Sequence, residues 1–99
     1  MNKTEHLLTC LIEECSEIQK EAAKALRFGL DDKWKSDINT AEKIAIEFGD
    51  LLGVFEMLKE ECLIPILDND NLIQRKKQRV LKYMSYAVNR KTLVLVEDV

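Results

Sequence analysis

Glycine and proline are nearly missing from this chain. Its 99 residues hold three glycines, Gly29, Gly49 and Gly53, and one proline, Pro65. A domain built from β-strands needs many more turn residues than that, so an all-β fold is excluded. Cysteine is sparse as well. Cys10, Cys15 and Cys62 are odd in number and show no C-x-x-C spacing, which fits reduced thiols in apolar helical context rather than a disulfide frame or a zinc site. There is no apolar run long enough to cross a bilayer, no apolar signal-peptide core near Met1, and no long basic run. These absences lead us to expect a cytoplasmic protein with no membrane and no nucleic-acid partner.

What remains is apolar and charged. Hydrophobic residues make up 46% and charged residues 33%, with a net charge of −3, which suits a folded helical domain and not a disordered chain. The length allows one domain, expected over residues 1–90 with a tail at 91–99. Periodicity and caps predict three helices. The first runs from about Thr4 to Phe28 and stops at Gly29. A polar loop, Leu30 to Ile38, carries the one tryptophan, Trp34. The second helix starts at Asn39, where Glu42 three residues on completes a capping-box pattern, and continues to about Cys62 before Pro65. The third spans about Asp70 to Asn89. The tail Thr92–Val96 is β-prone but cannot form a sheet alone. The expected fold is therefore all-α: a helical bundle of three long helices per chain, with a four-helix or larger core completed by dimerisation.

The informative residues are acids placed where apolar side chains belong. At about 100° per residue, Leu7, Leu11, Ile18, Ala22 and Ala25 form one stripe on the first helix. Glu14 falls inside that stripe, Glu17 lies at its edge, and Glu21 continues the row. On the second helix the stripe is Ile44, Leu51, Val54, Phe55 and Leu58; Glu47 falls inside it and Asp50 at its edge. Glu42, Glu56 and Glu60 point the other way and read as ordinary solvated charges. Spacing alone decides nothing, because 18 acids in 99 residues give about three i, i+3 pairs by chance. Position decides. Ionised carboxylates on a buried face cost about several kcal/mol each unless paired. On the third helix Ile73, Val80, Leu81, Met84 and Val88 form the stripe, and Lys77 is the one base within it. One lysine cannot balance four or five carboxylates, so cations are expected, and an all-oxygen donor set selects magnesium, with manganese as a substitute. His6, just before the stripe, reads as structural.

Glu13-Glu14-Cys15-Ser16-Glu17 followed by Glu47-Phe48-Gly49-Asp50 resembles the E-E-x-x-E … E-x-x-D signature of MazG-like nucleotide pyrophosphohydrolases. His6-Leu7-Leu8 before the first motif, Lys24-Ala25-Leu26-Arg27-Phe28-Gly29 after it, and Asp50-Leu51-Leu52 fit as well. The resemblance spans about residues 5 to 88 and is closest to short single-domain bacterial and phage members. It implies an all-α homodimer or dimer of dimers that hydrolyses a nucleoside or deoxynucleoside triphosphate to the monophosphate and pyrophosphate with magnesium. By matching position it implies Glu14, Glu17, Glu47 and Asp50 as metal ligands and catalytic residues, with Glu13 in support and Glu21 beside them. The loop after Gly29 is shorter than in longer members, which puts the substrate pocket in question.

For the substrate, Lys77 and Lys24 are candidates to hold phosphate oxygens, although the Lys77 stem can equally run along the core. Phe28 and Trp34 can stack on a nucleobase and Asn39 can bond its edge; core packing, loop anchoring and helix capping are the plainer roles. Glu17 is a candidate proton acceptor. Arg75, Arg79 and Lys82 form a ridge off the stripe that reads as a solvated face. Two other functions compete: a non-catalytic helical interaction or regulatory module, and a metal-dependent enzyme for another phosphate ester.

Overall fold

A computed structural model describes residues 1–95. It contains three helices: α1 (Lys3–Phe28), α2 (Thr40–Glu60) and α3 (Asn69–Asn89). No strand occurs among the described residues, so the fold is all-α. In the β-prone tail, Thr92–Leu95 form no strand, and Val96 lies outside the described residues. Among the described residues no helix is long and apolar enough to cross a membrane. The chain divides into two compact units, Met1–Pro65 with α1 and α2, and Ile66–Val99 with α3.

Local chemistry sets the helix ends. The Asn2 side chain accepts from the Glu5 N–H at 2.8 Å and opens α1. Gly29 closes it at φ 97°, a left-handed backbone that favours glycine, and its N–H donates to Ala25 O at 2.8 Å. Asn39 and Glu42 form the expected capping box at the start of α2, the Glu42 N–H reaching Asn39 Oδ1 at 2.8 Å. At its far end α2 stops at Glu60, two residues before the expected Cys62. Cys62 instead adopts φ 57°, and the Leu63 N–H reaches back to Leu58 O at 2.9 Å. That pattern is the Schellman closure, here with cysteine where glycine is usual.

Helices α1 and α2 pair antiparallel. At one end the Ala41 N–H donates to Leu30 O and the Thr40 N–H to Asp32 O, at 2.9 and 3.0 Å. At the other, Lys3 forms an ion pair with Glu61. The buried apolar residues are Leu7, 4% exposed, and Leu58, 1% exposed. Most of the expected stripes, including Leu11, Ile18, Ile44, Leu51, Val54 and Phe55, are half-buried. Ala22 is exposed, unlike the rest of its stripe. In the second unit no α3 residue is buried; Met84 is half-buried, while Ile73, Val80, Leu81 and Val88 are exposed.

Candidate functional site

The acids sort as the helix wheel separates them. Glu14 and Glu47 are half-buried, while Glu42, Glu56 and Glu60 are exposed. Glu42 is used in the capping box and Glu56 pairs with Lys59 at 2.7 Å. Glu14 of α1 meets Glu47 and Asp50 of α2, and one ligand oxygen from each lies within 4.8 Å of the others. This is the group of three potential metal donors found among the described residues. Glu17 is exposed and outside that group, and so is Glu13. Both still act on it electrostatically. Partial desolvation, then the carboxylates of Asp50, Glu47, Glu13 and Glu17, push the Glu14 carboxyl above its ordinary value of 4.5. The cluster thus carries repulsion that a divalent cation would relieve, and its all-oxygen donors suit a hard ion such as magnesium.

Glu21, two turns beyond Glu14, differs from the rest of the row. It is only 6% exposed, its Oε1 pairs with Lys24 Nζ at 3.3 Å, and its Oε2 is enclosed without a hydrogen-bond partner. It stands apart from the three-carboxylate group.

Beyond it, within the same unit, a cavity of about 360 Å³ opens where α1 ends and α2 begins. Lys24, Phe28, Asp32, Trp34, Thr40 and Lys43 line it. The loop is drawn to this end by Thr40, which is buried and gives both its N–H and its hydroxyl to Asp32 O, at 3.0 and 3.3 Å. Trp34 is 73% exposed, with Lys35 Nζ 5.2 Å from its ring centre, and Arg27 stands 5.1 Å from the centre of the Phe28 ring. Three residues singled out from the sequence, Lys24, Phe28 and Trp34, therefore share one wall. Asn39 does not line it; its side-chain oxygen is taken by the α2 cap.

Lys77 belongs to the second unit, where it lies beside Lys76, Val80 and Leu81. Arg75, Arg79 and Lys82 are exposed together on α3 with Gln78. The three cysteines are free, and Cys10 Sγ lies 3.8 Å from His6 Nε2.

Sequence reasoning overlooked Lys43, Asp32 and Thr40. Lys43 had a usable signal, since it precedes Glu47 by four residues and so shares its face. Asp32 and Thr40 had none, because their place on the wall depends on how the loop folds back. No family model, curated protein or solved structure matches the chain.

Proposed function

We propose that this chain is a magnesium-dependent nucleoside triphosphate pyrophosphohydrolase of the MazG-like type, releasing a monophosphate and pyrophosphate from an NTP or dNTP. One observation carries the reading: the three-carboxylate cluster and the aromatic, lysine-lined cavity lie along the same α1–α2 pair. From Glu14 to Lys24 is ten residues, about 15 Å of helix rise, and from Glu47 back to Lys43 is four, about 6 Å. A nucleotide can span such distances with its base at one end and its phosphates at the other.

Glu14, Glu47 and Asp50 would hold the magnesium, with Glu17 close enough along the helix to join on a rotamer change. Bound there, the ion would offset the negative field and supply Lewis acidity for phosphoryl transfer to water. The chain's own groups supply the rest. Phe28 and Trp34 offer faces for the base, and the cavity wall orients the sugar. Glu17, exposed and outside the three-donor group, would be the residue to accept a proton from the attacking water. Exposed Leu8 and Ile12 of α1 and Phe48 and Leu52 of α2 support a homodimer or dimer of dimers, since these apolar side chains are left uncovered. A cytoplasmic location accords with nucleotide substrates.

The test is product analysis with each common NTP and dNTP, in magnesium and in EDTA, with Glu47→Gln as the blank. Monophosphate plus pyrophosphate, lost in EDTA and reduced roughly a hundredfold or more in the variant, is the expected result. A folded, magnesium-loaded protein that turns over none of them would sink the reading.

A further inference from the structure

The two cavity lysines are not equivalent, and the difference assigns the two ends of the ligand. Lys24 is already neutralised. Its Nζ pairs with Glu21, whose carboxylate is more than nine-tenths buried and has no other partner. Moving Lys24 onto a phosphate would strand that carboxylate without a counter-charge, at the cost of an unpaired buried ion. Lys43 is under no such constraint. It makes no ion pair among the described residues, it is half-buried on the cavity wall, and it sits one helical turn from Glu47 on the same face of α2. Asp32, on the loop side of the same wall, disfavours an anion there. The open positive charge of the cavity is therefore that of Lys43, while the charge of Lys24 is taken by Glu21 and Asp32 adds a negative charge on the loop side.

We infer that Lys43 is the cation that receives the anionic, phosphate-bearing end of the ligand, and that Lys24, clamped by Glu21, serves the uncharged end as a fixed hydrogen-bond donor. This deepens the reading above and rests on it for the choice of ligand, a nucleoside 5′-phosphate. On this inference Lys24, a sequence candidate for phosphate oxygens, serves the other end of the ligand.

Trp34 makes the test independent of turnover, because it is the one tryptophan in the chain and lines the cavity. Its fluorescence is titrated with a nucleoside and with the matching 5′-monophosphate, both in EDTA, using the four common bases. In the unmodified protein the monophosphate binds more tightly, and added salt narrows the gap. Lys43→Met abolishes that preference, weakening the monophosphate roughly ten- to a hundredfold and leaving the nucleoside unchanged. Lys24→Met weakens both ligands by a similar factor and keeps the preference. Glu21→Gln, which keeps the side chain's size, retains the preference as well. A preference that survives Lys43→Met, or that disappears in Lys24→Met, overturns the inference. So does failure of either ligand to alter Trp34 emission. If the preference follows Lys43 while no triphosphate is hydrolysed in magnesium, the assignment of Lys43 stands and the hydrolase reading falls.

Discussion

Magnesium and the Glu47→Gln substitution should act on stability with opposite signs, and each should reverse the other. Without metal, Glu47 is one of the charges that hold the Glu14 carboxyl above its ordinary value. Replacing it with the isosteric neutral amide removes a like charge from a cluster whose ligand oxygens lie within 4.8 Å. The metal-free variant should therefore melt higher than the parent. On the proposed reading magnesium would bind only the folded arrangement of α1 and α2, so at a hundred times its dissociation constant it would add about 2.7 kcal/mol. For a unit the size of Met1–Pro65 that corresponds to a melting shift of roughly 10–20 °C. Glu47→Gln removes one of three donors and should lose most of that shift. The assay is thermal melting in EDTA and across a magnesium series, followed by far-ultraviolet circular dichroism and by Trp34 emission, which reports on the same unit. Glu60→Gln, an exposed position, is the control. An equal magnesium shift in parent and Glu47→Gln would refute the metal assignment. A metal-free variant less stable than the parent would refute the repulsion argument, since that is what a packing role for Glu47 produces.

Two further outcomes follow from the same structure. Because the Glu14 carboxyl is raised in the folded chain, the unfolded chain loses this proton first as pH rises from its ordinary value of 4.5. Metal-free stability should therefore fall as pH rises through that window and be restored by magnesium at its upper end, which denaturant melts at successive pH values would read; a rise with pH in EDTA would contradict it. Cys62 holds a left-handed turn at φ 57°, so Cys62→Gly should stabilise by roughly 0.5–1 kcal/mol, seen as a higher urea midpoint with unchanged slope; a lower midpoint would show that the thiol contributes packing there.

The helices were legible because their ends are chemical. Gly29, Asn39 with Glu42, and the acid–amide run before α3 each carry a cap that can be read before any packing is known. Glu14 and Glu47 were legible because an acid inside an apolar stripe has no other cheap explanation. The wheel also contained a distinction that the spacing of the motif obscures. Glu21 lies within about 20° of Glu14 around α1, whereas Glu17 lies about 60° away. Seven residues therefore keep Glu21 on the inward line and bury it, while three residues turn Glu17 to solvent. The cavity was the least legible part. Its lysine on α2 is periodic, but its loop wall depends on Thr40 binding Asp32 O, a contact between groups eight residues apart with no pattern that announces it.

The fastening of α1 to α2 has a mechanical consequence. The buried Leu7 and Leu58 and the Lys3–Glu61 ion pair lie toward one end, and the hydrogen-bonded turn, Leu30 with Ala41 and Asp32 with Thr40, lies at the other. The mutually repelling carboxylates sit between these two anchorages. A beam held at both ends and pushed apart at its centre bows and does not open. If the cluster holds a cation as proposed, its loss would leave both fastenings in place, and a returning ion would meet donors carried on helices still joined at each end.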